Sequence, residues 1–428
     1  MRVNPAYQGR LLSATILLMW AGLFYSRALL SIGLVAFIAA SLLSVPFRDM
    51  TDGLKRHVYL WTMSILFLIP LLTGLWSQDL KEWATRLFDK SPLLLVPLCS
   101  ASLDRISARQ LRRLLWICLA VAMASVCGTT LRYLTDRSGI DESYLRAKVM
   151  KVDMDNDHVR YGWVLAGVFA WLLQLLAGDG LTDRRQRIAA ALCAASLAAF
   201  LHLLSSRTGL LGMYLSTLIV AAVHWRKPFA RAVALGFLAA PALAWQLLPT
   251  FRNRVRFGMW DFQNFSRGGY VEGLSDTPRY LSFKVGADIT RSHPWLGTGF
   301  GDIKRAMWEG YAMNHPYLKD YEKLLPSNEF LLHAAAAGWP AAVVFTVVVL
   351  VPFLLKGLRN QAGWICLHAM ALAGFLYEIG LETQYGIFVY ALPGCLAYKR
   401  LIHRHGGPKG SASPVDEADP RPAVGKYT

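Results

Sequence analysis

The 428-residue sequence predicts an all-α polytopic membrane protein with about 12 transmembrane helices and one large helical loop on the outer side of the membrane. Three observations carry that prediction. Hydrophobic residues make up 54% of the chain and charged residues only 17%, where soluble domains carry roughly a quarter. Apolar runs of membrane-spanning length recur almost from end to end. The short connections between these runs alternate in their content of Lys and Arg. A cytosolic nucleic-acid binder is excluded by this pattern, so the formal charge of +17 is first a topological signal.

Hydropathy places spans near 11–26, 28–47, 58–76, 91–103, 114–130, 159–177, 188–204, 208–224, 229–249, 329–354, 363–382 and 385–398. The first follows Arg2 and Arg10 without a small-residue cleavage site, and is expected to stay as a helix rather than leave as a signal peptide. With the N-terminus inside, every short inward connection is basic, from Arg48, Lys55 and Arg56 to Lys399, Arg400 and Arg404. Both termini are therefore expected in the cytoplasm. The chain divides into spans one to nine (1–249), an outer loop domain (250–327), spans ten to twelve (328–400) and a disordered cytoplasmic tail (401–428) rich in Gly, Pro and Asp.

The 250–327 stretch is too long for a simple connector and holds eleven Lys and Arg residues on the side where basic residues are disfavoured. Thr277 as N-cap and Pro278 as first helical residue predict a helix to about Arg291, with Tyr280, Phe283 and Ala287 on its apolar face. His293-Pro294 ends it.

Arg207 sits between two spans at the outer boundary, Arg160 begins another span beside His158, and Arg279 opens the amphipathic helix above them. An arginine near a helix end is often only snorkelling. A cluster of guanidinium groups at one level is more specific, because each offers a charged fork suited to phosphate or pyrophosphate. Asp153, Asp155 and Asp157 alternate like a calcium loop, but His158 and Val164 stand where that loop needs glycine and glutamate. Gly-Thr-Gly-Phe-Gly at 297–301 follows no strand and reads as a turn. The six cysteines lie in apolar stretches without metal-ligand spacing, so neither disulfide nor metal site is expected. His202, His224, His333 and His368 read as helix-packing residues.

Several segments together resemble the O-antigen ligase and O-antigen polymerase superfamily. They are Asp-His-Val-Arg-Tyr-Gly at 157–162, Ser-Ser-Arg-Thr-Gly-Leu-Leu-Gly at 205–212, the segment from Pro278 to Ile289, His-Pro-Trp-Leu-Gly-Thr-Gly-Phe-Gly at 293–301, Pro-Ser-Asn-Glu-Phe-Leu at 326–331 and Leu-Glu-Thr-Gln-Tyr-Gly at 381–386. The resemblance implies a fold like that of C-type glycosyltransferases, in the bacterial inner membrane with its active site facing the periplasm. It implies an O-antigen ligase that moves a polysaccharide from polyprenyl-pyrophosphate to lipid A-core, with Arg160, Arg207, Arg279 and His158 meeting the pyrophosphate. The family's histidine, the presumed general base, is replaced here. Ser327-Asn328 precedes Gly338 at the family spacing, and serine at its ordinary pKa is a poor proton acceptor. The catalytic candidates are therefore His315, whose imidazole titrates near neutrality, and Glu382, with Ser327 and Asn328 at the family position.

Fixed arginines and an activated donor make inverting, metal-independent transfer without a cofactor the expected chemistry. An O-antigen polymerase or an oligosaccharide transferase to protein hydroxyls would use the same donor. A lipid-linked glycan flippase would be expected to place charges at the bilayer midplane, whereas these gather at the outer ends. Partners are thus the lipid-linked donor, the lipid A-core acceptor and membrane lipid. Cysteine labelling tests the orientation: positions 265 and 310 should react from the periplasm and position 185 only from the cytoplasm. Cytoplasmic labelling within 250–327 would overturn it.

Overall fold

A computed structural model describes residues 5–406, apart from 147, 179–180, 182, 267–271 and 273–275. Most of the expected tail, 407–428, lies outside the described residues. Among those described, all regular structure is helical. The helices are α1 (Pro5–Tyr25), α2 (Arg27–Ser44), α3 (Phe47–Arg56), α4 (Val58–Thr73), α5 (Leu80–Lys90), α6 (Pro92–Cys99), α7 (Ala108–Thr135), α8 (Arg137–Ser143) and α9 (His158–Ala177). They continue with α10 (Arg184–Leu204), α11 (Arg207–Val223), α12 (Pro228–Leu247), α13 (Pro249–Ser266), α14 (Asp276–Ser292), α15 (Ile303–Asn314), α16 (Glu329–Leu354), α17 (Ala362–Phe375) and α18 (Gln384–Gly406).

Six of these, α2, α7, α9, α10, α12 and α16, are long and apolar enough to cross a membrane. The pair α3 and α4 qualifies as one bent span with an angle of 98°, and α11 and α17 are shorter apolar helices. The chain is thus a polytopic helical membrane protein, and the expected twelve crossings reach beyond the helices that qualify on length and apolarity. The expected span at 91–103 is two short pieces, α6 and the 3-10 turn Ser100–Arg105. Pro92 starts α6 and Pro97 interrupts it. Leu235, Leu238 and Leu243 on α12 are exposed, as lipid-facing side chains would be.

Glycine sets the closest helix contacts. Arg160 and Arg207 each stand two residues before a glycine, and Gly162 and Gly209 face one another where α9 meets α11. A Cβ on Gly209 would lie 3.0 Å from the Gly162 Cα, so the two backbones approach more closely than larger residues permit. This contact sets the two helix starts side by side, and the Thr208 hydroxyl donates to the Val159 carbonyl across it at 2.8 Å.

The long segment before α16 is docked onto a break in that helix. Gly338 has φ 83°, and the carbonyls of Ala335 and Ala336 accept hydrogen bonds from the N–H groups of Thr298 and Gly299 at 3.0 and 2.8 Å. The Trp339 N–H donates to the Pro294 carbonyl at 2.8 Å. Gly297 and Gly299 are also left-handed, so the 297–301 segment is the turn expected from the sequence, shaped to lie against helix backbone. The same segment reaches α4 and α5: Asp302 accepts from the N–H groups of Gln78 and Asp79, and Phe300 N–H donates to the Thr73 hydroxyl.

Helix α14 departs from its sequence reading. It starts at Asp276, and the Thr277 hydroxyl is buried without a hydrogen bond rather than capping the helix. Its covered face runs through Leu281, Val285 and Gly286, while Tyr280 of the expected apolar face is exposed. The reason is steric. Gly286 lies against Pro326, where a Cβ would meet the proline ring at 2.9 Å, so the small-residue side turns inward.

Replacing Gly338 by alanine puts a methyl 2.1 Å from the Trp295 carbonyl oxygen and forces a left-handed backbone on a residue with a Cβ. The conformation alone costs about 1–3 kcal/mol. Gly338→Ala should lower the unfolding temperature of the detergent-solubilised protein, whereas Gly374→Ala, on α17 with open space around it, should leave it nearly unchanged.

Candidate active site

Helix ends converge at the 250–327 end of the bundle. The α10–α11 turn is fixed by Ser205, left-handed at φ 52°, whose hydroxyl donates to the His202 carbonyl at 2.6 Å. The free carbonyls at the end of α10 are met by neighbours: Thr250 Oγ1 donates to Leu203 O at 2.7 Å and Tyr144 Oη to Leu204 O at 2.9 Å. Arg207 begins α11 directly after this turn. Its guanidinium forks onto the carboxylate of Asp276 in the first turn of α14, with Nη2 donating to Oδ2 at 2.9 Å and Nη1 to Oδ1. Burial alone would push the Asp276 carboxyl up. The hydrogen bond and charge of Arg207, with Arg279 and Arg254 behind, hold it below the usual carboxylate range instead.

Arg279, one turn along α14, pairs with Glu378 from the loop after α17. Between these groups lies a cavity of about 350 Å³. It is lined by His158, Arg207, Arg254, Arg279, Tyr377 and Glu378, with Val159, Ser206, Thr208 and Leu211 at its apolar and hydroxyl-bearing walls. Three guanidinium groups around one small cavity make an anion site, and the mixed walls suit a ligand with both charged and apolar parts.

Three of the four residues expected to bind pyrophosphate, Arg207, Arg279 and His158, meet here. Arg160 does not line the cavity. It is buried beside it, donating from Nη2 to the Ile379 carbonyl at 2.7 Å and standing 3.6 Å from Asp157. Arg160 therefore holds the loop that carries Glu378.

None of the expected catalytic residues lines the cavity. Glu382 is buried in ion pairs with Lys90 and Arg86, the latter at 3.0 Å. The Lys90 ammonium, itself 2% exposed, also donates to the Leu381 carbonyl at 2.7 Å. His315 caps the end of α15, 3.1 Å from the Tyr317 hydroxyl, and its Nε2 is buried without a partner. Burial, then the charge of Lys284, lowers its pKa. The Ser327 hydroxyl lies 3.1 Å from Ser282 Oγ and its N–H donates to the same oxygen at 3.0 Å. Asn328 caps α16, accepting from Leu331 N–H and donating from Nδ2 to the Leu376 carbonyl, both at 2.8 Å.

Sequence reasoning passed over Arg254 and Glu378. Arg254 lies in α13, a helix not foreseen, in an Arg252, Arg254, Arg256 alternation that resembles a solvated basic face. Glu378 stands four residues before the chosen Glu382, outside the family-like segment 381–386 that favoured Glu382. Asp153, Asp155 and Asp157, which alternate like a calcium loop in the sequence, disperse to separate partners. These are Ser125 and Arg132, Arg27 and Tyr385, and the Arg160 N–H. Among the described residues no three His, Cys, Asp or Glu side chains gather as metal ligands.

Residues 189–346 match a family model described as O-antigen ligase. The matched segment runs from α10 into α16 and contains Arg207, Arg254, Asp276, Arg279 and Ser327, but not His158, Arg160 or Glu378. No curated protein matches the chain significantly.

The Lys90–Glu382 pair makes a stability prediction. Glu382→Gln leaves the buried Lys90 charge short of its partner, a loss of about 3–5 kcal/mol for pairs of this kind. Glu382→Gln and Lys90→Met should each lower the unfolding temperature markedly. The double variant Lys90→Met, Glu382→Leu should recover part of the loss, and a double loss equal to the sum of the two single losses would show that the pair is not coupled.

Proposed function

We propose that this membrane protein, whose residues 189–346 match a family model described as O-antigen ligase, transfers a glycan from polyprenyl-pyrophosphate to an acceptor hydroxyl, as an O-antigen ligase acting on lipid A-core. The observation that carries this reading is the cavity itself, with Arg207 and Arg279 facing one small volume at helix ends. The pyrophosphate sits against the guanidinium groups, and the polyprenyl tail leaves toward the apolar helix surfaces. In keeping with that placement, the bundle lies in the bacterial inner membrane in twelve crossings, with the cavity toward the periplasm.

The reaction needs little beyond positioning and charge. The acceptor hydroxyl attacks the anomeric carbon, the bond from that carbon to the pyrophosphate oxygen breaks, and the lipid pyrophosphate leaves with the bonding electrons. The arginines neutralise the charge that grows on it, which is why metal-independent transfer is proposed. Direct displacement inverts the anomeric centre. The proton released by the hydroxyl needs an acceptor, and Glu378 is the one carboxylate among the described lining residues. We assign the base to Glu378 in place of His315 and Glu382, whose side chains are engaged outside the cavity. Because Arg279 pairs with Glu378 in the free protein, pyrophosphate drawn onto Arg279 loosens that pair and leaves the carboxylate available.

Arg207→Ala and Arg279→Ala should abolish transfer, each losing a charge-assisted contact worth about 1.5–3 kcal/mol in binding and more as leaving-group charge develops. Glu378→Gln should lower kcat by about 10²–10⁴-fold while donor affinity is kept or improved. His315→Ala should retain most activity. Full turnover in Glu378→Gln would remove that residue as base. Purified protein, given lipid-linked glycan with lipid A-core, should yield glycosylated core, and a ladder formed from the donor alone would make the protein a polymerase.

A further inference from the structure

Arg254 is the cation of the cavity that has no carboxylate. Arg207 is matched by Asp276 and Arg279 by Glu378, whereas no acidic side chain among the described residues pairs with Arg254. Its Nε and Nη1 are buried and make no hydrogen bond. The group described against its guanidinium is the Phe257 ring of the same helix, at 6.0 Å. A snorkelling arginine extends its head into water and satisfies its donors there. Arg254 instead turns its head into the shared cavity, beside two other guanidinium groups, where burial and then the charge of Arg207 lower its pKa. Such a placement is costly in the free protein, because it combines like-charge repulsion with unmade charged hydrogen bonds.

The charges around the cavity are uneven in the same sense. Arg207 and Arg279 are each paired with a carboxylate, Asp276 and Glu378, and the buried Asp261 accepts from the Asp276 N–H beside Arg207, while no carboxylate among the described residues pairs with Arg254. A diphosphate diester carries two negative charges and many acceptor oxygens, and can satisfy the idle N–H donors while sharing Arg279.

We propose that Arg254 is a binding residue for the donor's diphosphate: with no paired carboxylate among the described residues, it can take a phosphoryl group without an internal ion pair being opened. The assignment rests on the reading of the cavity as the donor site. Placed on α13, Arg254 reaches the cavity from a helix other than those that carry Arg207 and Arg279. Arg207 has the role of fixing α14 through Asp276 as well as facing the ligand.

The test uses the full chain in detergent with glycan-free polyprenyl pyrophosphate as probe, at fixed ionic strength. Arg254→Gln should weaken binding by about 10-fold to 100-fold, the size of one charged hydrogen-bonding contact. Arg254→Lys should recover part of the affinity, since it keeps the charge without the fork. Arg256→Gln, on the same helix but exposed over the Trp245 ring, should bind as wild type. Without ligand, Arg254→Gln should unfold at the same temperature as wild type or higher, because repulsion is relieved, and it should lose most of the ligand-induced rise. A purely structural Arg254 would lower the ligand-free unfolding temperature and leave the affinity of the folded fraction intact, which overturns the assignment. Equal affinity in Arg254→Gln and wild type overturns it too, with the donor reading left standing. Absence of binding by wild type itself would instead sink the donor reading and this assignment with it.

Discussion

The backbone of α16 cannot run straight through Gly338, and much of the surrounding architecture follows from that break. A left-handed residue inside an apolar helix frees carbonyls that hydrocarbon cannot solvate. Here the freed groups at Ala335 and Ala336 are met by N–H groups of Thr298 and Gly299, and Trp339 N–H is met by Pro294. The 250–327 segment is therefore part of the helix packing as well as a cover over it. Once 294–299 is fixed, Phe300, Gly301 and Asp302 are delivered to the α4–α5 turn, and α14 is anchored at its C-terminal end. Arg279 lies at the other end of the same helix.

Electrostatics completes what the backbone begins. Arg207 and Arg279 are held in place by acids from other elements, so the positions of two cations depend on α11, α14 and the loop after α17 together. Arg160, from α9, supports that loop by its carbonyl. Lys90 and Glu382, linking α5 to the same loop four residues on, do so through a buried ion pair. Carboxylates thus position arginines and arginines position a carboxylate. A polyanionic ligand bound as proposed would meet Arg254 first and then act on those internal pairs.

The sequence was readable where position in the chain nearly determines position in space. Arg207 stands between two spans linked by a tight turn, so its level relative to the membrane follows from hydropathy alone. The same logic placed His158 and brought Arg279 near them. It misjudged Arg160, because burial of one residue on a helix start depends on which neighbour covers it, and Ile379 is over two hundred positions away. Glu378 and Glu382 would share a face on a continuous helix. The chain instead leaves α17 at Phe375 and enters the 3-10 turn Gly380–Glu382, which sends one carboxylate to the cavity and the other to Lys90. No periodicity encodes that divergence. Arg254 was hidden by its own helix, since alternate arginines read as solvated unless the covering elements are known.

Serine at 327 fits the proposed relocation of the base to Glu378. Its N–H and hydroxyl both engage Ser282 Oγ, which in turn donates to the Arg279 carbonyl at 2.6 Å, so position 327 ties the start of α16 to the first turns of α14. That is a structural task, and it leaves Ser327 no free role in proton transfer. Next to it, Asn328 reaches the Leu376 carbonyl and thereby draws in the loop that bears Glu378. Arg160 holds the same loop at Ile379 from the opposite side. Glu378 is thus supported on both flanks and lines an arginine-rich cavity, which is what its proposed role as proton acceptor requires.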